Sequence, residues 1–194
     1  MLSNKALLTC LFLHWLLLSS SHAASVREQY IYYPVIAVSV KSLVQKVDTA
    51  SPIRYEGKVF HGYTDSKVSW QFYWETKQEG CYLTKIISAA NITITLPELD
   101  KSRASPAVIA IWDQWYPALY NHEQNHKKHA VAIAEEIEKS LQKLGPSRTC
   151  KRLEEKANRI GYELIEKLNK MDRAYDRKTK NGELEGARLS TYIN

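Results

Sequence analysis

Cysteine is almost missing from this sequence. Only Cys10, Cys81 and Cys150 occur, and the first of them lies in an apolar leader, so a framework of several disulfides is excluded. No second long hydrophobic run follows that leader, and a hydrophobic content of 44% is too low for an integral membrane protein. No internal repeat and no low-complexity linker interrupts the remainder. A strong excess of charge is also lacking: the formal net charge is +6, and Lys and Arg alternate with Glu and Asp, as in Glu135, Glu136, Glu138 and Lys139. That pattern gives no basic stripe and argues against nucleic acid as a partner.

What is present begins with Lys5 followed by the apolar run Ala6 to Leu18, then three serines and His22-Ala23-Ala24. This is the pattern of a signal peptide over residues 1–23, with Ala23 and Ser21 as the small residues at the cleavage site. Residues 24–194 then form one secreted or periplasmic domain, with no stable membrane span after leader removal and a charge lowered to +5 by the loss of Lys5. In such an oxidising compartment the remaining pair, Cys81 and Cys150, is expected to form one disulfide. At 194 residues the chain is long enough to bury a core without a structural metal.

Local patterning predicts an α+β fold. Gln29 to Val35 is aromatic and β-branched and reads as an edge strand; Val40, Leu43, Val44 and Val47 recur at helical spacing. From Tyr55 to Leu96 the period becomes two: Val68, Trp70, Phe72 and Trp74 share a face, Glu79-Gly80 supplies a turn, and Ile92, Ile94 and Leu96 alternate with Asn91, Thr93 and Thr95. At least three strands follow, read as antiparallel. After Ser105-Pro106 the chain is helical, and Pro117 is expected to bend or divide that helix. A second helix is then expected from Pro117 to Leu144, with His122, His126, Ala130, Ile133, Ile137, Leu141 and Leu144 facing inward. A third runs from about Thr149 to Tyr175, and the tail from Asp176 has no periodicity.

His122-Glu123-x-x-His126 carries the chemistry. Residues four apart on a helix project side by side, so two imidazoles at that spacing can grip one ion, with zinc the expected cofactor. Glu123 points about 100° around the helix and is placed to contact a water on the metal, where a general base belongs. Two imidazoles on an apolar stripe need a ligand or a hydrogen-bond partner in any case, because desolvating them costs a few kcal/mol, roughly. His129 is too far along the axis and reads as a surface or packing residue. A third metal ligand must come from elsewhere, with Glu163, Asp172, Asp176, Asp113 and Glu183 available.

Taken together, Tyr30 to Val35, Ser69 to Trp74, Gly80-Cys81, Ile92 to Pro97, Trp112-Asp113, His122-Glu123-x-x-His126, Cys150-x-x-Leu153 and Tyr175-Asp176-x-x-Thr179 with Gly182 and Gly186-Ala187 resemble a bacterial family of predicted secreted zinc-dependent proteases, a domain of unknown function. The resemblance spans nearly all of the chain after the leader and departs at Asn181, where the family's tail has His. It implies zinc on His122 and His126, Glu123 as catalytic acid and base and a Cys81–Cys150 disulfide, with Asp176 at the matching position as candidate third ligand; the metallopeptidase reading adds a zincin-like arrangement, a small sheet above the metal-bearing helix. Two functions compete: a secreted or periplasmic zinc metallopeptidase acting on a peptide or protein substrate, and a non-catalytic binding or envelope-interaction module. A groove leading from Trp112, Trp115 and Tyr116 to the histidines would favour the first.

Overall fold

The computed structural model describes residues 24–193, so the leader expected at 1–23 lies outside the described residues. The elements are β1 (Ser25–Val35), α1 (Val40–Ala50), a small hairpin of β2 (Arg54–Tyr55) and β3 (Lys58–Val59), the long strands β4 (Tyr63–Lys77) and β5 (Gly80–Leu99), α2 (Pro106–Gln142), α3 (Cys150–Thr179) and a tail with two 3-10 turns. The class is mixed α+β, as the change of period from two to 3.6 implies. Among the described residues no helix is long and apolar enough to cross a membrane.

The main sheet has the order β1-β5-β4. β4 and β5 form the expected antiparallel hairpin, whereas β1 lies parallel to β5, so both edge strands flank one central strand. The parallel pairing follows from the path between them: α1 and the β2–β3 hairpin join the end of β1 to the start of β4 at the same end of the sheet, and β4 then carries the chain back to where β5 begins. On β5 the alternation works as anticipated, with Ile92, Ile94 and Leu96 buried. On β4 it holds only as far as Phe72. A register shift falls between Tyr73 and Trp74, and from Tyr73 to Lys77 every residue is exposed, Trp74 among them although its ring stays 5.9 Å from that of Phe72.

The inner face of the sheet rests on α2, and α3 packs against α2. Ser105 caps α2 by accepting a hydrogen bond from the Val108 amide, with Pro106 at the first helical position. Pro117 does not divide the helix: α2 is continuous from Pro106 to Gln142. Trp112, Trp115, Leu119 and His122, on both sides of the proline, are buried in the same core, and that packing outweighs one missing backbone bond. This burial also removes the anticipated aromatic groove, since Trp112 and Trp115 stack edge to face inside the protein at 5.1 Å. Gly161 on α3 is required by Trp70, whose ring lies 2.2 Å from where a Cβ would stand.

Cys81 and Cys150 form a disulfide that ties the start of β5 to the first residue of α3 across 69 residues. The backbones pair there too, with Cys81 and Ser147 exchanging both amide hydrogen bonds. By loop-closure entropy a span of this length stabilises the fold by about 4 kcal/mol. Replacing both cysteines by Ser is expected to lower the urea unfolding free energy by about that amount; an unchanged midpoint would show that the crosslink does not constrain the unfolded chain.

Candidate metal centre

The centre is assembled from α2, the end of α3 and the tail. On α2, His122 and His126 sit one turn apart with ring centroids 5.1 Å from each other and planes at 87°. α3 continues one turn beyond the expected Tyr175, and that extra turn adds Asp176 to Asp172 and Tyr175 on the side that meets the histidines. Asp176 Oδ1 lies 3.1 Å from His126 Nε2 and 3.4 Å from His122 Nε2. All three ligand atoms fall within 4.8 Å of one another. A tetrahedral zinc with bonds of about 2.0–2.2 Å needs neighbouring ligand atoms roughly 3.3 Å apart, so these residues fit such an ion.

The other nitrogen of each ring is also held. His122 Nδ1–H donates to Glu185 Oε2 at 2.9 Å, and His126 Nδ1–H donates to Asp172 Oδ1 at 3.0 Å. Carboxylates in that position fix the tautomer and turn Nε2 toward a metal. Tyr175 stacks on the His122 ring at 4.9 Å and donates its hydroxyl hydrogen to the same Glu185 oxygen, while Asn125 donates to the tyrosine oxygen. Glu185 reaches His122 because Lys180, Asn181 and Gly182 adopt left-handed backbone, with φ of 53°, 52° and 81°, and swing the tail under the helix. Gly182 is required there: a Cβ would stand 2.7 Å from the Ala187 Cβ and 3.1 Å from the His122 ring. The tail is then pinned by Trp115, whose indole N–H donates to the Ala187 carbonyl at 2.9 Å.

Glu123 is 4% exposed. Its carboxylate is held by the Thr64 hydroxyl, which donates to Oε2 at 2.7 Å, and Oε1 lies against Gly62, where a Cβ would come within 2.6 Å. Burial raises its pKa above the ordinary carboxylate value, against the Thr64 hydrogen bond and the charges of His126 and His122. For the histidines burial acts in the opposite sense and is outweighed. Hydrogen bonds to Asp172 and Asp176 bring His126 up to about 10, and those to Asp176 and Glu185 raise His122. Burial also works against the Asp176 charge, yet the two imidazoles hold its carboxyl well below the usual range.

The expected residues His122, Glu123, His126 and Asp176 all line one cleft of about 1310 Å³, which runs from the β2–β3 hairpin to the tail. His129 departs from its reading as a surface or packing residue. It donates from Nδ1 to Asp172 Oδ1 at 2.8 Å and forms a second close group with His126 and Asp172. Neither His129 nor Asp172 lines the cleft, so the first group is the one a substrate would meet. Of the other carboxylates considered, Asp113 pairs with Lys101, Glu183 pairs with Arg188, and Glu163 is exposed on α3. Tyr175 belonged to the family pattern beside Asp176 without a role of its own, and Thr64, Gly62 and Glu185 had no sequence signal as site residues beyond their type. A separate depression of about 430 Å³ gathers Arg148, Arg152, Lys156 and Arg159 around Glu155, cations that looked dispersed along the sequence.

A family model described as a bacterial protein of unknown function (DUF922) matches residues 30–183. The chain is a member of that family. The match runs from Tyr30 within β1 to the start of the tail, and takes in His122, Glu123, His126, Asp176, Cys81 and Cys150. No curated protein and no solved structure shows similarity to this DUF922 chain.

The charges in the centre set a pH dependence for the metal-free protein. His126 is raised from 6.5 to about 10, so its contribution is complete below about pH 6.5 and vanishes as pH rises through about 10. Asp176 is displaced downward, so its contribution is present above 3.8 and is lost as pH falls below that value. Thermal melting in chelator is expected to fall between pH 6.5 and 10 in the wild type, and to fall less in His126→Gln. An identical alkaline slope in both would contradict the assignment.

Proposed function

We propose that this chain is a zinc metallopeptidase of the periplasm or the extracellular space, hydrolysing peptide bonds with Glu123 as general base. One observation carries the reading: two imidazole Nε2 atoms converge on one carboxylate oxygen beside a desolvated glutamate, in a cleft of about 1310 Å³. The motif helix lying under a small sheet supports a zincin-like arrangement, and the disulfide accords with export, as the leader pattern does. His122, His126 and Asp176 would hold zinc, with Glu185 and Asp172 orienting the rings.

Zinc in that position supplies a Lewis acid that polarises a carbonyl and makes a water acidic near neutral pH. The protein's own share is proton handling. Thr64 and Gly62 keep the Glu123 carboxylate at the cleft wall, and its raised pKa makes it a stronger base than an exposed glutamate. It accepts a proton from the attacking water and, as a carboxylic acid, passes that proton to the leaving amine when the C–N bond breaks. Asp176, bonded to both imidazoles, stays ionised throughout.

A second reading, a non-catalytic binding or envelope-interaction module, draws on the same contacts. Every imidazole nitrogen of His122 and His126 already has a carboxylate within 3.4 Å, so the cluster satisfies itself without a metal. Metal analysis and turnover separate the two. The peptidase is expected to bind one zinc per chain, and Asp172→Asn, which removes the partner of the His126 Nδ1, to lose about 10-fold to 100-fold in zinc affinity by competition with a chromogenic chelator. Glu123→Gln is expected to keep its zinc and lose at least about 100-fold in chelator-sensitive casein cleavage. A zinc-loaded wild type with no hydrolysis of protein, ester or cell-wall peptide would leave the second reading.

A further inference from the structure

His126 takes part in two close groups. Its Nε2 faces Asp176 and the cleft, while its Nδ1 faces Asp172, which also holds His129, and neither of these two lines the cleft. His129 follows His126 by three residues, which puts both rings on one side of α2, and Asp172 reaches them from α3. Asp172 Oδ1 lies 3.0 Å from His126 Nδ1 and 2.8 Å from His129 Nδ1, and one ligand atom from each of the three residues falls within 4.8 Å of the others. Among the described residues no lysine or arginine pairs with Asp172, so the imidazoles alone meet its charge. The Tyr175 ring stands edge-on to both histidines, at 5.2 Å and 5.5 Å, and walls the group. The side chains of His129 and Asp172 are 24% and 29% exposed, which leaves the group open to water.

The two groups differ in shape. The ring centroids of His122 and His126 are 5.1 Å apart, and those of His126 and His129 are 6.2 Å apart. With metal–nitrogen bonds of about 2.0 Å, two imidazoles on adjacent corners of a tetrahedron have centres roughly 5 Å apart, whereas two on opposite sides of one ion have centres roughly 6 Å apart. A carboxylate oxygen at right angles to both of those opposed bonds stands about 2.8–3.0 Å from each nitrogen. Asp172 Oδ1 has that spacing to both Nδ1 atoms. Opposed imidazoles with a carboxylate between them and water on the remaining corner make a tetragonal nitrogen and oxygen set, the kind that suits copper(II), and copper(II) also binds most tightly among the divalent first-row metals.

We propose that His126, His129 and Asp172 form a second metal site of tetragonal geometry, suited to copper(II), set back to back with the first centre across the His126 ring. The ion takes the place of the two Nδ1 protons, which leave to solvent. Nothing in this site requires turnover, so it stands apart from the peptidase reading. Because the two sites share one imidazole, an ion here takes over the nitrogen that otherwise donates to Asp172, and filling one site alters the other.

The test loads the full chain with one equivalent of zinc and titrates it with copper(II), following copper by electron paramagnetic resonance and calorimetry and released zinc with a chromogenic dye. The wild type is expected to take up one copper(II) per chain with zinc retained, giving a tetragonal spectrum with coupling to two imidazole nitrogens. His129→Gln is expected to hold zinc as tightly as the wild type, which also reports that it folds, and to lose at least about 10-fold in copper affinity and one nitrogen coupling. His61→Gln, which changes the histidine belonging to neither group, is expected to bind copper as the wild type does. Zinc expelled in proportion to copper added, copper binding unchanged in His129→Gln, or loss of both metals together in that variant overturns the inference. A chain that takes up no zinc but binds copper in this His129-dependent way removes the zinc centre and leaves the second site standing.

Discussion

The structure of the site depends on one shared oxygen. Asp176 Oδ1 stands between the Nε2 atoms of His122 and His126, and without it the two imidazoles would face each other with their Nε2 atoms unpartnered, although Glu185 and Asp172 still hold the Nδ1 atoms. Two imidazoles buried this close cost desolvation, and a counter-charge or a metal returns that cost. The pKa shifts express the same constraint, with Asp176 held low and both histidines raised. Everything around the cluster fixes those three atoms: the α2 register, the length of α3, and a tail that turns back to hold His122 from behind.

The fold serves that geometry in an indirect way. The sheet contributes none of the three clustered side chains, yet Thr64 at the start of β4 and Gly62 just before it set the Glu123 carboxylate, so the sheet decides where that carboxylate lies. The disulfide fixes the far end of α3 to β5, and the core formed by Trp115, Ile133 and Ile137 with Ile92 and Ile94 locks α2 beneath them. Rigid elements carrying short, fully bonded side chains hold a constellation better than loops do.

Much of this was legible in the sequence, for reasons that can be named. His122 and His126 lie on an apolar stripe of period 3.6, and such a stripe faces inward whatever the rest of the fold is. The strand alternation of Ile92, Ile94 and Leu96 is equally local. Asp176 came from the family pattern, since a carboxylate at a helix end carries no periodic signal. What stayed hidden depends on backbone excursions or on packing: the register shift at Trp74, the core that keeps α2 whole through Pro117, and the left-handed turn at Lys180 to Gly182 that delivers Glu185. Trp112 and Trp115 illustrate the limit from the other side: a groove beside them would have favoured the peptidase reading, and the structure buries both rings.

The central claim is that His122, His126 and Asp176 act as one ligand set. X-ray absorption at the zinc edge of the metal-loaded protein examines it most directly. The account predicts a first shell of nitrogen and oxygen at about 2.0–2.2 Å containing two imidazoles, and loss of one imidazole contribution in His126→Ala. A sulfur shell, or a shell unchanged by that substitution, would contradict it.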